Sequence, residues 1–94
     1  MADLPDIELL ESTHTFPGPY VFKVIGENDP SFSGRVMTAI RAEIPEDREP
    51  AMSLRKTASG RHASVTIEPV VDNAEQVLAI YQHLYQLDGL VMVW

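Results

Sequence analysis

The side chains with the most chemical reach in this chain gather around one turn. Arg55, Lys56 and Arg61 lie within seven residues, flanking Thr57-Ala58-Ser59-Gly60 and adjoining His62. They supply three of the seven bases in a chain whose 14 acids leave a net charge of −7. Such a local reversal of sign suits an acidic protein surface or a small anion, with ion pairing strongest at low salt. It also has a plainer use, since charge at a turn keeps a strand edge from pairing with other chains. A second candidate is Gly26-Glu27-Asn28-Asp29-Pro30-Ser31, where a strand gives way to a helix. Free amides at a helix start attract a carboxylate, but Glu27 and Asp29 would oppose an anion unless an ammonium group came with it. An amino-acid zwitterion would meet both conditions at Gly26, Asn28, Asp29 and Ser31, while the plainer reading of the same residues is a helix cap.

Catalytic chemistry finds less to work with. Cysteine is absent, which excludes disulfides, thiolate metal sites and a thiol nucleophile. His14, His62 and His83 fall in an arm, a turn and a helix exterior. Their spacing suggests neither a metal set nor a base oriented by a third group. The five glycines are scattered and build no phosphate-cradling loop. The chain is therefore expected to be no enzyme and to need neither metal nor cofactor. Its acidity opposes general binding to a phosphate backbone. No segment approaches the roughly 18 apolar residues of a membrane span. Neither nucleic acid nor a membrane is an expected partner. The acidic start lacks the basic-then-apolar order of an export leader, which makes the cytoplasm the expected address.

These residues need elements to hold them, and 94 residues allow one domain with a modest core. Residues 1–15 are acidic and read as a loosely ordered arm with a helical turn through Ile7–Glu11, docking at Phe16. Tyr20–Ile25 is β-branched and aromatic and reads as a strand. Asp29 can cap a helix with Pro30 at its first position, and Phe32, Val36, Ile40 and Ile44 then mark one helical face. Ala51–Lys56 and Arg61–Glu68 alternate polar and apolar residues around the Gly60 turn, a β-hairpin. Asp72 with Glu75 reads as a capping box for a second helix that ends at Asp88-Gly89, before a last strand Leu90–Trp94.

The order β-α-β-β-α-β predicts an α+β, ferredoxin-like domain over residues 16–94. A four-stranded antiparallel sheet would carry both helices on one face. Met52, Leu54, Val65 and Ile67 are expected in the core. Ser53, Arg55, Ser64, Thr66 and Lys23 then fall on the open face, which is polar, with two cations and no aromatic row.

RNA-recognition modules share this strand order, but Gly60–Ile67 lacks the aromatics on which bases stack. Gly34-Arg35-Val36 superficially matches an acylphosphatase phosphate loop. Met37-Thr38 follows instead of Gln-Gly, and the hairpin offers no asparagine to orient a water. From Phe16 onward, however, the chain resembles the YbeD-like family of small bacterial proteins. The resemblance rests on Phe16-Pro17-x-Pro19-Tyr20-x-Phe22-Lys23-Val24-Ile25-Gly26, on Ser59-Gly60-x-His62-x-Ser64-Val65, and on Leu87-Asp88-x-Leu90-Val91-Met92-Val93. It implies the ferredoxin-like fold, with likeness to ACT-type regulatory domains, and implies no catalysis. ACT domains carry Asp-x-Pro-Gly-x-Leu or a close variant at the first helix start; this chain has Asp29-Pro30-Ser31-Phe32, with Ser31 where the glycine belongs.

Two functions follow as expectations. The first is a regulatory or protein-interaction module that meets an unknown protein partner through Arg55, Lys56, Arg61, His62 and Lys23. The second is an ACT-like sensor of a small molecule, an amino acid, acting as a homodimer, with the ligand at Gly26–Ser31.

Overall fold

The computed structural model describes residues 4–94. Its core is a four-stranded antiparallel sheet built from β2 (Phe22–Glu27), β3 (Ala51–Lys56), β4 (His62–Glu68) and β6 (Leu90–Val93), in the order β3-β4-β2-β6. Helices α2 (Phe32–Arg41) and α3 (Ala74–Tyr85) cross over one side, which is the expected ferredoxin-like arrangement. A second ribbon pairs β1 (Gly18–Pro19) with β5 (Val70–Val71).

The strands form where alternation demands them. Phe22 and Val24 on β2 and Val65 and Ile67 on β4 are wholly buried toward the helices, and they face one another across the register. Phe32, Val36 and Ile40 bring one face of α2 onto this layer, and Val77, Ile80 and Leu84 do the same for α3. Each such side chain contributes roughly 1.5–3 kcal/mol by leaving water, so this layer carries most of the fold's stability.

Four local expectations are corrected. Within the expected arm, whose residues 1–3 lie outside the described residues, the helical turn through Ile7–Glu11 is present and longer, as α1 (Ile7–Thr13), capped by the Asp6 carboxylate accepting from Glu8 N–H at 2.8 Å. Leu10 of this helix is buried in the common core, so apolar packing against α3 holds the segment. Helix α2 starts at Phe32 with Ser31 as its cap residue. Asp29 acts one turn earlier, its carboxylate accepting from the Ser31 N–H and hydroxyl. The cap of α3 is Asn73, accepting from Gln76 N–H at 2.8 Å, while the Gln76 side chain accepts from Asp72 N–H at 2.7 Å. Asp72 is thereby free to pair with Arg48 at 2.8 Å.

The fourth correction bears on function. Met52 and Leu54 are not core residues: they are 41% and 53% exposed, while their register partners Ile67 and Val65 have no exposure. Helix α2 packs chiefly on β2 and β4 and α3 on β6, which leaves β3 as an uncovered edge along its whole length.

Candidate functional site

The register assigns each candidate residue to a surface. On β3, Ser53 and Arg55 pair with Thr66 and Ser64 and share the helix-free face. Met52, Leu54 and Lys56 pair with Ile67, Val65 and Ala63 and point toward the helix side. Lys23 pairs with Thr66, so it joins Ser53 and Arg55 on the open face. Arg61 is exposed in the turn itself. His62 lies opposite Glu27, and its backbone carbonyl accepts from Thr57 N–H at 3.0 Å to close the hairpin. The turn has Gly60 at φ +74°, a left-handed backbone that a side chain would strain. The predicted basic cluster is thus divided: Lys23 and Arg55 on one face, Lys56 on the other, Arg61 at the tip between them.

The second predicted set lies beside this tip. Asn28 donates its side-chain amide to Gly60 O at 2.7 Å and its backbone N–H to Arg61 O at 3.1 Å, pinning the turn against the strand-to-helix loop. Asp29 is held by the Ser31 N–H, the Ser31 hydroxyl and Arg35, and these contacts lower its pKa below the ordinary carboxylate value. Gly26 sits against the Phe32 ring, where a Cβ would overlap the aromatic carbons, so its role is to let α2 approach the sheet. Between Asn28, Asp29, Pro30 and Ser33 on one side and Leu54, Lys56 and Ala63 on the other lies a cleft of about 380 Å³. The structure therefore brings the two predicted sets together around the end of β3.

The bases differ in how they are used. Arg35, Arg41 and Arg48 all form ion pairs, with Asp29, Glu49 and Asp72 at 3.0, 2.8 and 2.8 Å. Arg35 also donates to Asp88 O at 3.0 Å and lies 5.5 Å over the Phe32 ring, strapping α2 to the turn before β6. Among the described residues Lys23, Arg55, Lys56 and Arg61 form no ion pair or side-chain hydrogen bond. Between α2 and α3 lies a hollow of about 790 Å³ in which several polar groups are engaged, while Arg35 Nε is buried there without a hydrogen-bond partner. Arg35 binds Asp29 and Asp88, Thr38 donates to Gly34 O at 2.9 Å, and His83 meets Glu43 at 2.9 Å. Among the described residues the Lys and Arg side chains without a partner sit on the hairpin and the open face.

Sequence reasoning missed two members of that face. Trp94 exchanges backbone hydrogen bonds with Lys23 at 2.8 and 2.9 Å, and Met92 pairs with Ile25, so both lie on the helix-free side. The expected wholly polar face is therefore amphipathic, cationic toward β3 and apolar toward β6. Parity from the buried Val93 gives Met92 and Trp94 their side, but which residue of Leu90–Val93 is buried depends on a register shift at Ile25/Gly26 that no local pattern announces. Among the described residues no group of three or more His, Asp or Glu is placed to hold a metal ion. No helix among them is long and apolar enough to cross a membrane.

Comparison with known proteins places this geometry. A "UPF0250 protein" of Shewanella piezotolerans is 32% identical over 93 residues, 99% of each chain. Another, of Klebsiella pneumoniae, is 33% identical over 86 residues, 92% of each chain. The solution structure of protein HP0495 from H. pylori superposes with a TM-score of 0.71 at 16% identity, covering 100% of this chain and 98% of that one. The crystal structure of the ACT domain from the GTP pyrophosphokinase of Chlorobium tepidum gives a TM-score of 0.61 at 13% identity, covering 82% and 95%. At such identities the structural likeness establishes an ACT-like fold. Residues 11–94 match the family described as "Protein of unknown function (DUF493)", and the chain belongs to it, among relatives named UPF0250.

Proposed function

We propose that this chain is a non-enzymatic interaction module that receives an acidic, extended segment of a partner protein along the β3 edge. One observation carries this reading: β3 is an exposed edge with apolar Met52 and Leu54 on one face, and it runs directly into the unpaired cations Arg55, Lys56 and Arg61. An edge strand offers unpaired backbone groups that a second strand can satisfy. Alternate side chains then read the newcomer, here through an apolar strip and a basic end. Net charge −7 would repel acidic proteins elsewhere on the surface, so attraction is confined to this end.

The probe is a synthetic six-residue peptide alternating Glu and Val, titrated into labelled protein at low salt. Amide shifts should concentrate in residues 51–56 and saturate, and Arg55→Glu/Lys56→Glu/Arg61→Glu should abolish them. The same peptide with Lys for Glu should not bind. Equal shifts with both peptides, or none on β3, would overturn the reading.

A second reading is favoured by the cleft beside Asn28, Asp29 and Lys56: an ACT-like amino-acid sensor acting as a homodimer. Chemical-shift mapping against the twenty amino acids would support it through changes at residues 26–31, with light scattering reporting a dimer mass. Silence at those residues and a monomer mass would remove it.

A further inference from the structure

The open sheet face holds a smaller hollow of about 250 Å³, lined by Lys23, Ser53, Arg55, Ser64, Thr66 and Trp94. Its composition follows from the register. Ser53, Thr66, Lys23 and Trp94 form one row across all four strands, and Arg55 and Ser64 stand in the next row. Among the described residues none of these polar side chains forms a hydrogen bond or an ion pair. Two cations and three hydroxyls thus converge, all able to donate, while the acids of this face, Glu27 and Glu68, lie outside the lining at either end.

We infer that this hollow is a binding site for the phosphoryl group of a small phosphate ester whose organic part lies against Trp94. A phosphoryl group carries close to two negative charges, matching the two cations, and three oxygens that can each accept more than one bond from the five donor groups. A carboxylate has one charge and two oxygens, so it would leave donors unsatisfied and one cation uncompensated. Arg55 supplies a planar fork suited to phosphate oxygens and Lys23 a compact charge. The indole of Trp94, 51% exposed, and the neighbouring Met92 offer an apolar wall for the rest of the molecule. Nucleic acid fits poorly, because a long polyanion would meet the field of a chain with net charge −7. The site extends well beyond the docking edge: Lys23 and Trp94 lie two and three strands away from β3, and of the β3 residues Ser53 and Arg55 line it.

Trp94 is the only tryptophan, so its fluorescence reports directly on the hollow. The full chain is titrated with phenyl phosphate, inorganic phosphate and benzoate. Phenyl phosphate should give a saturable change, inorganic phosphate a weaker one, and benzoate at least tenfold lower affinity. Lys23→Met should weaken phenyl phosphate binding by about tenfold or more, reflecting loss of a charge-assisted contact. Thr66→Val, conservative in shape, should weaken it by a smaller factor, and Lys56→Met, on the other face, should leave it unchanged. No saturable change, equal affinity for benzoate, or undiminished binding by both Lys23→Met and Thr66→Val would overturn the assignment. Peptide binding on β3 has its own readout in the 51–56 amides, so either site can fail without the other.

Discussion

Strands β3 and β4 carry the same alternating pattern, lie side by side in one hairpin, and end in opposite circumstances. Val65 and Ile67 are sealed beneath α2, whereas Leu54 and Met52, their partners one strand outward, face solvent. Apolar spacing selects which side of a strand is helix-facing, but the reach of the helices decides whether that side is covered. Two helices centred over β2, β4 and β6 leave one strand over. Three of the unpaired bases, Arg55, Lys56 and Arg61, lie at the end of that strand, whereas Arg35, Arg41 and Arg48 on the helical side are tied into ion pairs. One region spends its side chains on holding the fold together, and the other keeps them available.

The sharpest way to break this comparison is a matched pair of truncations. Ile67→Ala should lower unfolding stability by about 2–5 kcal/mol, while Leu54→Ala should change it by no more than about 0.5 kcal/mol, both read by urea denaturation. Equal losses would mean that β3 is covered after all. Gly26→Ala comes next, since the added methyl collides with the Phe32 ring that packs α2 on the sheet. The expected loss is about 1–3 kcal/mol, with β3 amides unshifted by NMR.

Two titrations extend the contrast to pH. Burial, aided by the Tyr20 hydroxyl at 3.2 Å, pushes the Tyr81 phenol well above its ordinary value of 10.0. The folded state holds that proton longer than the unfolded chain, so its stabilising effect is complete below pH about 10 and declines as pH rises further. Tyr81→Phe should flatten this alkaline decline in thermal melts. The smallest effect is at the other extreme. Asp29, held below the usual carboxylate range by Ser31 and Arg35, adds stability above pH about 4 that fades as the solution is acidified. Asp29→Asn should remove that fraction of the acid dependence and leave the alkaline branch unchanged.

Much of the frame was legible in the chain because it rests on local chemistry. Alternation around Gly60 gave the hairpin, the apolar face from Val77 to Leu84 gave α3, and the four-residue spacing from Phe32 gave α2, although the helix ends at Arg41 and Ile44 is buried beyond it. What escaped depends on contacts distant in sequence. Nothing within Ile7–Thr13 shows that Leu10 will find α3, and the acidic residues around it argue locally for solvent. Met52 and Leu54 look like core until the helices are placed. The cap of α3 is Asn73 rather than Asp72, whose carboxylate pairs instead with Arg48, 24 positions away. At the candidate site the basic residues were readable as a cluster. Their division between two faces, and the addition of Trp94 to one of them, required the register.

The docking edge is tested most directly by solvent paramagnetic relaxation at side-chain methyls, measured with and without the acidic Glu-Val peptide. In the free protein the Met52 and Leu54 methyls should be strongly broadened while those of Val65 and Ile67 stay sharp, and added peptide should restore the first pair. Methyls of Leu54 already protected in dilute free protein, or still broadened at saturating peptide, would contradict the account.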